Sequence, residues 1–322
     1  MKVIWLLAFL LWMGAGKVTL HAQQVPQKFV QETHYLLYLP DGYNSDTVKK
    51  WPLLIFLHGS GESGNDLEKV KLHGPPELVE KGKSFPFIVV SPQAKPREGW
   101  EAENLYRLLQ HIKQTQRVDE KRIYLTGLSM GGFGTWEFAM RHPEEFAAIA
   151  PVCGGGDTTE AWKLRNIAVW NFHGAKDDVV LPVLSDNMVN AVKRYNPSIR
   201  YTLYPDANHN SWDATYSNDS LYLWMLSKTK FRYKEVPISP DIFKQYTGKY
   251  TSGEKDTVVI TVDEHNLVAK ADNAIITLKA AGNDLFFVEP DLPLDVRFPR
   301  EKGIVRSLLL MGNNKKLYRK IQ

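Results

Sequence analysis

The strongest constraint on the fold is a five-residue turn, Gly127-Leu128-Ser129-Met130-Gly131, taken with its flanks. Before it, Arg122-Ile123-Tyr124-Leu125-Thr126 is a short apolar, β-rich run that reads as a buried strand. After it, Gly132-Phe133-Gly134-Thr135-Trp136-Glu137-Phe138-Ala139-Met140 reads as the start of a helix. A G-x-S-x-G between a strand and a helix is a nucleophile elbow. The turn is so tight that side chains at the flanking positions would collide, and the serine is held at strained angles with its hydroxyl exposed. The pattern makes Ser129 the candidate nucleophile.

A serine hydroxyl attacks poorly until a base takes its proton, so the elbow requires a histidine and an acid. Both follow in the order serine, acid, histidine. The acid lies where the apolar run 167–172 breaks at His173-Gly174 and leads into Ala175-Lys176-Asp177-Asp178-Val179-Val180. The pattern His-Gly-x-x-Asp-x-x-Val favours Asp177, with Asp178 as the competing neighbour. The base lies where Tyr201-Thr202-Leu203-Tyr204 ends in a polar loop carrying His209. Each group thus follows a strand, where a parallel sheet displays its reactive side chains. Among nine histidines, His209 alone has the right order and loop; His173 reads as shaping a strand end and His142 as sitting at a helix terminus.

Upstream, 51–57 is a buried strand that empties into His58-Gly59-Ser60-Gly61-Glu62-Ser63-Gly64. Small residues there let backbone N–H groups face a developing oxyanion, and the expected donors are Ser60 and Met130, the residue after the nucleophile. Gly59, Gly61 and Gly64 also match G-x-G-x-x-G, but a dinucleotide site calls for an acidic residue ending the next strand. That strand, 87–90, ends in Ser91-Pro92, and no Walker lysine-serine pattern is present. No cofactor is expected, and no histidine, cysteine and carboxylate cluster at ligand spacing argues for a metal.

These stretches carry a resemblance. Tyr38-Leu39-Pro40-Asp41-Gly42-Tyr43, Leu57-His58-Gly59-Ser60-Gly61-Glu62, 127–132, His173-Gly174-Ala175-Lys176-Asp177 and His209-Asn210-Ser211-Trp212 resemble the α/β-hydrolase superfamily. They are similar to its bacterial predicted-peptidase and carboxylesterase branch. That branch is related to feruloyl-esterase-like and polyhydroxybutyrate-depolymerase-like enzymes and to the catalytic domain of prolyl oligopeptidases. The resemblance covers residues from about 30 to 230 and implies a doubly wound, mostly parallel α/β fold with a Ser-His-Asp triad. It leaves the substrate open. Prolyl oligopeptidases carry a large domain that restricts access to peptides, and too little chain precedes this core to build one, which favours an esterase over a peptidase.

The first 22 residues read as an export signal: Met1-Lys2, an apolar run, and Leu20-His21-Ala22 as a small-residue cleavage site. The run is too short for a comfortable membrane span, which needs about 20 apolar residues. The expectation is an exported protein, periplasmic or secreted, with no stable membrane insertion after cleavage. A net charge of +4 gives no ground for a nucleic-acid partner. The single Cys153 cannot form an internal disulfide and reads as a buried, inert thiol. The oligomeric state is not legible.

Domain organisation follows from patterning. Alternating strand and helix signals fill 23–236. Beyond Pro237-Ile238-Ser239-Pro240, short alternating runs at 258–262, 267–269, 275–278, 285–288, 304–310 and 317–318 argue for an antiparallel β-domain over 237–322, a small barrel or sandwich. Trp100 and Trp212 are the candidates for lining an acyl or sugar-facing pocket. The expected activity is hydrolysis of a small-molecule or carbohydrate ester through an acyl-enzyme. The alternatives are a peptidase with the same triad and a silent hydrolase-fold binding protein.

Overall fold

A computed structural model of the chain describes residues 32–253, 256–263, 266–271, 274–290, 292 and 294–321. The expected export signal, 1–22, lies outside the described residues. No described helix is long and apolar enough to cross a membrane.

Among the described residues, seven strands make the first sheet: β1 (Tyr35–Tyr38), β2 (Trp51–Leu57), β3 (Ile88–Pro92), β4 (Val118–Leu128), β5 (Ala148–Val152), β6 (Ala168–Gly174) and β7 (Arg200–Tyr204). Their order is β1-β3-β2-β4-β5-β6-β7. Only β1 runs antiparallel, on β3; the other pairings are parallel. Every residue of β2 is buried, as a central parallel strand covered on both faces requires. Its side chains alternate between two cores. Leu53, Ile55 and Leu57 join the cluster holding Leu109, Ile112, Trp136, Phe138 and Met188. Leu54 and Phe56 join the one holding Tyr216, Leu221, Trp224 and Met225. Helices α2 (Ala102–Thr115), α3 (Met130–Arg141) and α4 (Val183–Lys193) therefore cover one face. The other face is covered by α1 (Gly74–Glu80), α5 (Trp212–Tyr216) and α6 (Asp219–Leu226).

The order sets a topological switch point. The chain leaves β2 towards β3 and leaves β4 towards β5, so the carboxyl ends of β2 and β4 flank a switch point, the place where open α/β sheets bind ligands. The elbow after β4 and the glycine-rich loop after β2 both lie there.

The C-terminal strands are β8 (Gly248–Gly253), β9 (Asp256–Asp263), β10 (Asn266–Ala271), β11 (Ala274–Gly282), β12 (Leu285–Phe287), β13 (Asp295–Arg297), β16 (Ser307–Met311) and β17 (Lys315–Lys320). They close into an antiparallel barrel, while β14 (Arg300–Glu301) and β15 (Ile304–Val305) form a separate two-stranded ribbon. Eight strands leave an interior just wide enough for side chains. Tyr246, Tyr250, Phe286, Phe298 and Leu308 fill it, and Phe243 of α7 (Pro240–Phe243) packs against the same cluster. The expected run 304–310 breaks at Arg306, which separates the ribbon from the barrel strand.

The barrel meets the α/β layer through a buried polar knot. The Arg165 side chain, 2% exposed, pairs with Asp295 of β13 at 3.0 Å and donates to Met311 O at 2.7 Å. Asp295 also takes the Tyr233 hydroxyl and Arg297. Removing one partner of a buried ion pair leaves the other charge uncompensated. Asp295→Ala is expected to cost about 3–5 kcal/mol, seen as a lower urea midpoint at unchanged slope. An unshifted midpoint would show that the knot contributes nothing.

Candidate active site

The backbone at the elbow bends as its glycines permit. Ser129 sits at φ 53°, ψ −116°, a region that costs a non-glycine residue about 1–3 kcal/mol. A Cβ on Gly127 would fall 2.3 Å from Gly131 O, and one on Gly131 would fall 2.0 Å from Leu57 O. Neither position admits a side chain. The Ser129 N–H donates to Val152 O at 3.0 Å, which ties the strained residue to the end of β5.

Three side chains converge there. Ser129 Oγ lies 3.0 Å from His209 Nε2, and His209 Nδ1 lies 2.8 Å from Asp177 Oδ2. An ionised carboxylate only accepts, so the Nδ1–H donates to Asp177. In the neutral imidazole, Nε2 then keeps its lone pair for the serine proton. Asp178, the competing neighbour, is exposed, whereas Asp177 is buried. Burial alone would raise the Asp177 pKa. It is outweighed by the His209 hydrogen bond and by the backbone N–H groups of Val180 (2.9 Å) and Val179 (3.0 Å), so the carboxyl is held below its ordinary value. The carboxylate therefore stays ionised at neutral pH. The stability it adds is present above the unfolded-state pKa and is lost as pH falls through the lower folded value.

The supporting residues come from segments that read in sequence as strand ends. His173, fully buried in β6, places Nε2 3.1 Å from Asp177 Oδ2 and 2.8 Å from Val180 O, with Nδ1 2.7 Å from Ser185 Oγ. It braces the loop that carries the carboxylate. His58 plays the same part in the loop after β2. Its Nδ1 donates to Gly59 O at 2.5 Å and its Nε2 accepts from Ala94 N at 3.0 Å. Burial lowers its pKa, in keeping with a neutral ring. Gln93 holds the same loop by donating to Glu62 O and Asp66 O, both at 2.7 Å. No sequence pattern marks Gln93, because its partners are backbone oxygens 27 and 31 positions away.

The expected oxyanion donors lie at two helix starts. Met130 opens α3, and Ser60 opens the 3₁₀ turn Ser60–Glu62. First-turn N–H groups have no partner inside their own helix. Trp212 sets its ring 5.2 Å from that of His209, edge to face. Trp100 lies against the end of β2 and the start of α3. Its indole N–H donates to His58 O at 3.1 Å and its ring packs on His58 and over Gly134. His142 caps α3, and Cys153 is buried, its thiol pushed up to about 12 chiefly by burial. Among the described residues, Cys153, Asp177 and His209 present donor atoms within 4.8 Å of one another, with His209 Nδ1 hydrogen-bonded to Asp177 Oδ2.

Residues 90–220 match the model of the dienelactone hydrolase family. Among curated relatives, the chain is 27% identical over 189 residues to a bifunctional acetylxylan esterase/xylanase of Neocallimastix patriciarum, covering 56% of this chain and 27% of that protein. It is 24% identical over 157 residues to a probable feruloyl esterase C of Aspergillus flavus, covering 47% and 57%. The chain thus spans only part of the length of these relatives. Among solved structures, a thermostable esterase superposes with a TM-score of 0.53 at 30% identity, over 61% of this chain and 59% of that one.

Proposed function

We propose that this chain, an α/β-hydrolase by fold with an antiparallel β-barrel behind it, is an exported serine esterase. The observation that carries the reading is the hydrogen-bonded row Ser129–His209–Asp177 at a strained elbow. Ser129 attacks the ester carbonyl, and His209 takes its proton and returns it to the departing alcohol. Asp177 keeps the imidazole oriented and stabilises its charged form. The N–H groups of Ser60 and Met130 receive the oxyanion. Water then attacks the acyl-enzyme by the same route in reverse.

In this reading the acyl group lies against an apolar rim. Phe133 and Leu184 flank Gly155, and Val179 and Leu181 are exposed beside Asp177. Relatives named for acetylxylan and feruloyl ester cleavage support small or aromatic acyl groups on carbohydrate as the substrate class. In this reading 1–22 is the export signal, 23–236 the catalytic domain and 237–322 a structural β-domain.

The test is the ratio of kcat/KM for an ester and an amide that share one acyl group. An amide needs its leaving nitrogen protonated and its extended backbone held. The ester is expected to lead by about 10²–10⁴-fold, the range that general acid assistance spans. A preference for the amide, above all after proline, would convert the reading to a peptidase.

A further inference from the structure

We propose that the β16–β17 turn of the barrel and α3 enclose a groove for the far end of an extended acyl group, one that carries a hydroxyl remote from its carbonyl. The proposal rests on the esterase reading and adds a substrate contact to the barrel's structural role.

A cavity of about 510 Å³ lies between α3, the loop after β5, the 3₁₀ turn Ala161–Asn166 and Asn314 of the barrel. Small-molecule sites span about 300–1,000 Å³. The α3 wall is a single stripe of Phe133, Glu137, Met140 and Arg141, spaced so that all four share one helix face. The stripe starts beside the nucleophile. The Phe133 N–H donates to Ser129 O at 3.1 Å, and Phe133 and Gly155, which meet at the acyl rim, both line the cavity. At about 1.5 Å per residue, the helix rises about 12 Å from Ser129 to Glu137 and about 18 Å to Arg141. An acetyl group on Ser129 ends far short of either side chain.

The barrel supplies Asn314, and its turn is pinned on both sides to the α/β layer. Before the turn, Arg165 donates to Met311 O at 2.7 Å; after it, Lys315 Nζ donates to the Tyr195 hydroxyl at 3.0 Å. Within it, the Gly312 N–H donates to Asn314 O at 3.1 Å. Glu160 and Lys163 on the facing wall pair with each other. The side chains of Glu137, Arg141 and Asn314 make no hydrogen bond or ion pair among the described residues. They therefore offer both donors and acceptors, and a hydroxyl can serve as either. A plain alkyl end would strip water from these groups without replacing its hydrogen bonds. A charged end of either sign would meet like charges, Glu137 and Asp157 or Arg141 and Lys163.

The test uses three 4-nitrophenyl esters that share a leaving group: the acetate, the decanoate and the 10-hydroxydecanoate. Each variant is compared with wild type on the same ester, so intrinsic reactivity cancels. Asn314→Trp, which fills the groove from the barrel side, should lose at least tenfold more kcat/KM on both ten-carbon esters than on the acetate. Arg141→Ala keeps the space and removes a charged donor. It should lose at least tenfold more on the hydroxydecanoate than on the decanoate, a loss that a hydrogen bond to a charged group supports. Equal effects of both variants on all three esters would overturn the groove, and a bias seen only with Asn314→Trp would overturn the hydroxyl. Titration of the Ser129→Ala protein with 4-nitrophenyl 10-hydroxydecanoate, followed by calorimetry, is a readout independent of turnover. Weaker binding to the Ser129→Ala/Asn314→Trp protein supports the groove, and equal affinity overturns it. Should the wild type cleave none of the esters, the esterase reading fails, and this titration still decides the groove.

Discussion

Ser129→Ala is expected to lower kcat on a small activated ester by about 10⁶-fold, the loss seen when a triad serine is removed from a protease. The residue has no second function in the fold that alanine would spoil. Its Oγ is directed at His209, and the N–H donating to Val152 O survives the change. Alanine must still adopt φ 53°, at a cost close to that of serine, so thermal stability should move little. The measurement is steady-state turnover alongside the melting temperature of the same preparation. Turnover within tenfold of wild type would remove Ser129 from the mechanism.

Asp177→Asn should reduce kcat by about 10⁴-fold, as the same change does where an asparagine imposes the wrong imidazole tautomer. The amide can donate to His209 Nδ1, which moves the proton to Nε2 and leaves no lone pair for the serine. The damage extends further here, because Asp177 also accepts from Val179, Val180 and His173. Some loss of stability should accompany the loss of rate. Asp178→Asn, at an exposed position one residue on, should stay within about twofold of wild type on both counts, as surface substitutions usually do. Equal losses at the two positions would mean that the geometry around His209 differs from that described.

The reactive segment is legible in the sequence because its constraints are local. A glycine-flanked serine between an apolar run and a helix start fits few turns besides a nucleophile elbow, and the strand-then-loop pattern repeats for Asp177 and His209. What is not legible is set between segments. Alternation alone does not separate a barrel from a sandwich, since it gives the faces of a strand and not its partners; closure depends on β9 pairing β10 and β17 pairing β8. Strand β13, Asp295-Val296-Arg297, is too short and polar to register as a strand at all, yet it carries the aspartate that receives Arg165. The two candidate tryptophans show the same limit. Both lie near motif loops in sequence, and only the packed structure gives their partners, His58 for Trp100 and His209 for Trp212.

An acyl-enzyme on Ser129 is tested most directly by intact mass after incubation with a fluorophosphonate, which traps activated serines at the same step. One adduct per chain is expected, located on Ser129 by peptide mapping and absent from both Ser129→Ala and a protein whose His209 is replaced by alanine. A stable adduct on another residue, or none under conditions where esters are hydrolysed, would contradict it.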